Sequence, residues 1–434
     1  MSIIQIMGSI RQNSSIGTHW ISNLSSVNNY SPVFNAIDSS GNVYITATST
    51  SNASIIIAKY DTNGTLQWQR ILDSSSGIDT ANRIATDSSG NVYITAIANV
   101  SGRPSIFAAK YDTNGTLQWQ RSLGVTDNNN YGESIAVDNS TNVYVGGYSS
   151  SLFTGSTAVI AKYDTNGNLQ WQKYLANVTF PGNSQSSVID HDVDSSGNIY
   201  LGISAQGIIV AKYDTNGTLQ WQKRLSSGSE AGYIQSISAD SSGNTYIAGS
   251  SYGAEGQSDM LIIKCDSNGD ILWQKTLDYP GSSTFEAVYD VCVDISQNVY
   301  VLAASSISGN VDSIILKYDI NGNLQWQRNF GNPSYYENGS TISVDSVNNN
   351  IYASFFQYDN VSTFSATVAK LPSDGSKTGT YGGYVYADSS YAESIPSFVS
   401  STSTLTPGDS TLTASTPTLT SNTSSLTSST VNIP

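Results

Sequence analysis

The twelve residues AKYDTNGTLQWQ stand at positions 58–69 and recur letter for letter at 109–120 and 211–222. At 161–172 they return with one change, Asn168 in place of a threonine. The tryptophans Trp20, Trp68, Trp119, Trp171, Trp221, Trp273 and Trp326 keep the same beat, with separations of 48, 51, 52, 50, 52 and 53 residues. A period near 50 residues confines the chain to architectures that stack one supersecondary unit many times.

Each unit holds four short β-type runs. In the second unit they are RIATD, NVYITAI, SIFAAKYD and TLQWQRSL, with SSG between the first two and TNG between the last two. Asn-Gly between β runs predicts a tight hairpin with a type I′ turn. DSSGN predicts a slightly longer hairpin whose Asp closes an Asx-turn. Four antiparallel strands per unit describe a propeller blade. The third runs, such as SIIIAKY and DSIILKY, are apolar at successive positions, as strands buried on both faces must be. A parallel β-helix or a horseshoe would need a shorter repeat.

Seven units follow from the lysines of this third run: Lys59, Lys110, Lys162, Lys212, Lys264, Lys317 and Lys370. The seventh unit lacks a tryptophan run, and an unattached one, GTHWISNL, opens the chain. The expected fold is therefore an all-β, seven-bladed propeller of four-stranded antiparallel blades, with extended N- and C-terminal arms. The segment around Trp20 is expected to close the last blade, which removes an exposed edge. The alternative closing segment is TGTYGGYVY at 378–386. The divisions are an N-terminal arm at 1–16, the propeller at 17–375 and a Ser/Thr-rich tail at 376–434. Each tryptophan is expected to pack between blades.

The pattern AKYDTNGTLQWQ followed by DSSGNVYIT resembles the bacterial and phage β-propeller repeats of SBBP type, across all seven units. Similar near-identical arrays occur in virion proteins of tailed phages, cyanophages among them. The resemblance implies the fold and a particle context; it implies no shared catalytic residues.

In such a blade the SSG and TNG turns emerge on one face of the ring. The other connections emerge on the opposite face. The first set is nearly constant along the chain; the second differs in length and content from unit to unit. Recognition is expected on the variable face. Its loops carry Tyr30, Tyr131, Phe180, Tyr233, Tyr279, Phe285, Tyr335, Tyr336 and Tyr358. Tyr among Asn, Ser and Gly suits adaptable recognition and sugar stacking; the plainer alternative is that these rings cover loop backbone.

The formal charge of −15 opposes nucleic-acid binding. No apolar run approaches a membrane span, and the N-terminus shows no secretory n-region. Cys265 and Cys292 are expected to be free, buried thiols. Two histidines, His19 and His191, leave little material for His-based catalysis, and no nucleophile, metalloprotease or phosphate-loop motif is present. The protein is expected to be non-enzymatic and to need no cofactor.

One local oddity is IDHDVD, in the first strand of the fourth unit. With a period of two, Asp190, Asp192 and Asp194 share one side. Oxygen-only ligands of this kind suit Ca²⁺, although no Glu follows at the twelfth loop position. The alternative is a solvated channel lining, with Arg83 as partner across the channel. The repeated Lys and Asp of AKYD are expected to serve the scaffold.

The tail has no Lys or Arg after Asp388. Phe398, Leu405, Leu412, Leu419, Leu426 and Ile433 are spaced by seven residues, while Pro407 and Pro417 oppose a helix. An extended strand docking one apolar residue per step is expected. Its partner would be a neighbouring particle protein or further copies of the tail, giving a homo-oligomer. Together these features predict a structural and adhesive virion component. It would act in the virion or outside the cell and bind other virion proteins and a host-surface glycan or receptor. The alternatives are a secreted carbohydrate-binding propeller and a glycan-active enzyme.

Overall fold

A computed structural model describes residues 19–433 apart from 26–29, 50–53, 74–78, 101, 125–127, 152–154, 177–186, 205–206, 227–231, 253–257, 279–285, 308–309, 346, 359–363, 382–383, 390–391, 395–398, 403–405, 410–412, 416–419 and 424–426. The chain forms a seven-bladed β-propeller of antiparallel blades. Blade two is representative, with strands Thr80–Thr86, Val92–Val100, Arg103–Tyr111 and Leu117–Gly124 running from the centre outward. The first strand of every blade meets the first strands of both neighbours, in a closed ring. Third strands are buried along almost their whole length; Ile55, Ile56, Ile57 and Ala58 are all at or below 2% exposure. Both faces of a blade thus serve as core, and seven apolar clusters alternate with the blades. One joins Tyr44, Ile55 and Leu72 of blade one to Ile84, Ile94 and Phe107 of blade two.

Blade seven consists of Tyr336–Asp345, Asn350–Tyr358 and Phe364–Pro372, and His19–Ser25 supplies its fourth strand. Trp20 pairs with Lys370, as Trp68 pairs with Lys59 and Trp119 with Lys110. Residues 378–386 do not fill that place. Gly379–Tyr381 and Tyr384–Asp388 form a hairpin whose second strand lies on the outer strand of blade six.

The TNG hairpin differs from the type I′ expectation. Gly64 has φ +78°, but Asn63 does not enter the left-handed region. The Asp61 carboxylate explains this. Its Oδ1 accepts the amides of Asn63 and Thr65 at 2.9 Å each, while the Gly64 amide donates to the Asp61 carbonyl at 3.0 Å. The turn is an ordinary right-handed one closed by a left-handed glycine, and a bulge at Lys59/Tyr60 absorbs the extra residue. DSSGN is built the same way on Asp38, whose Oδ2 also accepts the Asn42 side chain at 2.8 Å and the Tyr44 hydroxyl at 3.0 Å.

The tail is not a free arm. After Tyr384–Asp388 it runs around the ring against chain order and adds one strand to the outer edge of each blade. Ala392–Ser394, Val399–Thr402, Thr406–Asp409, Thr413–Ser415, Thr420–Thr423 and Thr427–Ile433 lie on blades five, four, three, two, one and seven. The register is strict. Tyr386, Glu393, Ser400, Pro407, Ala414, Ser421 and Ser428, each seven residues from the next, stand opposite Phe330, Leu277, Leu225, Leu175, Leu123, Leu72 and Leu24. Each of those partners lies four residues after the tryptophan of its blade. The expected extended strand with a seven-residue step is therefore present, but the surface it meets is the protein's own rim. Phe398, Leu405, Leu412, Leu419 and Leu426 fall between the tail strands, outside the described residues, as does the side chain of Ile433. Residues 1–18, including the N-terminal arm, are also outside them.

Candidate functional site

The constant face is occupied by contacts between blades. Each tryptophan reaches over the TNG turn of the following blade and donates its indole N–H to a carbonyl there. Trp68 donates to Thr113 at 2.9 Å, Trp119 to Thr165 at 3.1 Å, Trp171 to Thr215 at 3.2 Å and Trp221 to Ser267 at 2.9 Å. Trp273 donates to Ile320 at 3.1 Å, Trp326 to Ser373 at 3.3 Å and Trp20 to Thr62 at 3.1 Å, which completes the circle. The repeat lysine joins the same carbonyl: Lys59 Nζ lies 3.3 Å from the Thr113 oxygen and 5.0 Å from the centre of the Tyr44 ring. Burial lowers the pKa of Lys110, Lys162, Lys264, Lys317 and Lys370. The recurring AKYDTNGTLQWQ is thus an interblade clasp, and its near-identity serves the scaffold.

Four residues before each turn Asp, the innermost strands carry Phe34, Arg83, Ser134, Asp190, Ser236, Asp290 and Thr341, most of them buried. The Arg83 guanidinium lies 5.0 Å over the Phe34 ring and 3.9 Å from Asp190. Ser134 Oγ and His191 Nδ1 are 2.5 Å apart, and His191 Nε2 is 3.1 Å from the Tyr144 carbonyl. Burial holds this imidazole neutral, with its pKa lowered to about 4. Ser236 Oγ lies 2.8 Å from Asp190 and 2.6 Å from Asp290. A serine hydroxyl has one hydrogen, so it cannot donate to two carboxylates at once. The two acids therefore compete for one hydroxyl hydrogen, and burial raises the pKa of Asp290 to about 6.

These contacts engage the residues of the expected metal set. Asp190 Oδ2 also accepts the Ile237 amide at 3.2 Å, and its Oδ1 accepts the His191 amide at 2.9 Å. Asp192 accepts the Ala239 and Val193 amides at 2.8 Å each. Asp194 is the turn Asp of its blade and holds Asn198 and Tyr200. The three carboxylates thus pair with protein donors. Among the described residues no group of three or more His, Cys, Asp or Glu side chains forms a metal set. Of the alternative, Arg83 approaches Asp190 to 3.9 Å, but Asp190 is buried rather than solvated.

On the variable face, Tyr131 stacks on Tyr148 at 4.7 Å and Tyr336 on Tyr358 at 5.0 Å. Both are cross-strand pairs of the two innermost strands, in blades three and seven. Tyr233 is exposed and Tyr335 half-buried. Phe180, Tyr279 and Phe285 are outside the described residues, as is the side chain of Tyr30. Sequence reasoning missed Tyr148 and Glu133. Glu133 occupies the bulge of its inner strand, and burial raises its pKa to about 7 against the opposing pull of Arg83. Asn82 donates to the Gly132 carbonyl beside it. The inner strands of the other blades carry a bulge at the same place, so no repeat-level signal singles out Glu133.

Ring closure, a stamped clasp and an individually written face define a repeat propeller with one constant and one variable face. A family model described as outer membrane protein assembly factor BamB matches residues 105–353, more than half of the chain, and the chain belongs to that propeller family. The β-propeller repeat model of SBBP type matches residues 67–102. No curated protein matches. Solved structures that are similar include a Bacteroides caccae protein of unknown function, at 13% identity and TM-score 0.39, covering 72% of this chain and 94% of that one. The polysaccharide lyase Uly1 matches at 8% identity and TM-score 0.47, with 77% and 88% covered. A gluconolactonase from Xanthomonas campestris matches at 12% identity and TM-score 0.37, with 70% and 90% covered. At these values the likenesses carry no argument about activity.

Proposed function

We propose that the protein is a non-enzymatic structural and adhesive propeller of a phage virion, presenting its variable face to a host-surface glycan or to another protein. The observation that carries this reading is the clasp: one repeated motif is used up in holding blades together, which leaves the variable face as the individually written surface. The stacked pairs Tyr131/Tyr148 and Tyr336/Tyr358 give that face flat aromatic surfaces, and rigid aromatics bind at low entropic cost. The tail acts within the ring, so contact with other virion proteins falls to its outward edge. In the test, purified particles are searched for the protein by mass spectrometry. Binding of the Tyr335→Ala/Tyr336→Ala variant to cells and glycan arrays is then compared with wild type. Expected are presence in particles and weakened binding at an unchanged melting temperature. Absence from particles, or full binding by the variant, counts against the reading.

Glu133 favours a second reading. A half-buried acid titrating near neutrality, within electrostatic reach of Arg83, suits proton transfer on a glycan. Turnover of polysaccharide by wild type, lost in Glu133→Gln, would replace the first reading with this one.

A further inference from the structure

We infer a calcium site between blades six and seven, built on Asp312 and Glu337. Glu337 is the second residue of the blade-seven inner strand, opposite Gln357, is fully buried, and has no hydrogen-bond partner at either carboxylate oxygen. The Asn332 amide points toward it but lies outside hydrogen-bonding geometry. Asp312 of blade six stands alongside. The adjacent Ser313 hydroxyl donates to the Glu337 carbonyl at 3.1 Å. The Asp312 carboxylate covers Gly331 so closely that a Cβ there would collide with it.

The ring supplies its own comparison. Between blades two and three the same three places hold Ser105, Asn130 and Gly124. A Cβ on Gly124 would meet Asn130 Nδ2 at 2.9 Å and Ser105 Oγ at 3.3 Å. There the neighbours are neutral, and Asn130 donates to the Asn128 carbonyl at 3.0 Å. Between blades six and seven the same niche holds two carboxylates. A fully buried carboxylate without a hydrogen-bond partner, set beside a second acid, is costly. Burial raises both pKa values, Glu337 to about 8, and Asp312 pushes Glu337 further the same way.

A bound cation removes the conflict. The donors are oxygens alone, from two different strands, which suits calcium and its adaptable oxygen shell. Asp312 is half-buried, so waters can reach the niche and complete that shell. The turn beside it is held by the Ser334 and Tyr335 amides, which donate to the Asn332 side chain and carbonyl at 3.0 and 2.9 Å. That turn carries Tyr335 and leads into the Tyr336/Tyr358 stack. Calcium would fix this part of the variable face, and the site itself does not depend on what the face binds.

The full chain, stripped with EGTA, is titrated with calcium by calorimetry, and its melting temperature is measured with and without millimolar calcium. The double variant Asp312→Ser/Glu337→Asn copies the Ser105/Asn130 niche and should fold; Glu337→Gln is the milder second variant. Expected are single-site binding and a melting temperature several degrees higher with calcium, both lost in the double variant and reduced in Glu337→Gln. A wild-type melting temperature indifferent to calcium, or an equal response in all three proteins, would overturn the site. It is equally overturned if the stripped protein merely loses stability above neutral pH with no calcium response, since the two acids would then share a proton.

Discussion

The indole nitrogen of Trp20 donates to the Thr62 carbonyl at 3.1 Å, joining the outer strand of the last blade to the first blade of the ring. The same contact holds the other six junctions, so closure uses the ordinary interblade clasp. Against the indole lies a glycine. A Cβ on Gly64 would stand 2.7 Å from the Trp20 ring, and one on Gly115 would stand 2.7 Å from that of Trp68.

That geometry separates two effects of glycine. Gly115 has φ +75° and the Trp68 ring above it; Gly102 has φ +84° and open space. Gly102→Ala should cost about 1 kcal/mol, from the left-handed backbone alone. Gly115→Ala adds a clash with the ring and should cost about 2–4 kcal/mol. Chemical denaturation of both variants checks this, and equal losses would mean that the ring contact is soft.

Acidity should stabilise the calcium-free protein from about pH 8.5 down to about pH 5. Glu337 titrates at about 8, Glu133 at about 7, and Asp192 and Asp290 at about 6, all raised first by burial. A raised acid favours the folded state while protonated, and that contribution is lost as pH rises through the folded value. His191 has the opposite sign: lowered to about 4 by burial, it withdraws stability as pH falls below its ordinary value. The melting temperature should therefore keep climbing on acidification from about pH 8.5 toward about pH 5, with His191 offsetting only part of the gain below its ordinary value. Glu337→Gln should flatten the upper part of the curve; a wild-type melting temperature falling from pH 8.5 to 6.5 would contradict the assignment.

Truncation after Ser389 removes the strands on blades five to one and on blade seven. His19–Ser25 then keeps its pairing with Phe364–Pro372 but loses seven residues of pairing with Thr427–Ile433. The melting temperature should drop by about 5 °C or more, and proteolysis should reach His19–Ser25 first. Exposed strand edges should also promote association. A truncated protein with wild-type melting and proteolysis would mean that the tail contributes nothing to closure.

Much of the fold was legible because its determinants repeat. Trp, Lys, Asp and Gly recur at fixed offsets, and an unmatched tryptophan run at one end answers a missing one at the other. The tail's seven-residue step was equally visible, yet its partner was not. Strands of Ser and Thr pair through backbone amides, which leave no mark on the residues of the surface they join. Asp194 misled for a related reason: period-two counting placed it with Asp190 and Asp192, although the turn had already engaged it. Glu337 stayed hidden because a charged residue beside a variable loop reads as solvated, and its burial comes from blade six. The turn type was missed because the Asp61 carboxylate, not the Asn-Gly pair, sets the backbone.

The strict register of the tail makes it a gauge of the ring. Each blade uses about fifty residues of the repeat and a single seven-residue step of the tail. Loss of one repeat unit would leave a step too many, and the last strand would overrun His19–Ser25. Gain of one unit would leave it a blade short, with the entering strand uncovered. Blade number in this protein can therefore change only when two distant segments of the gene change together, one by a whole unit and the other by seven residues.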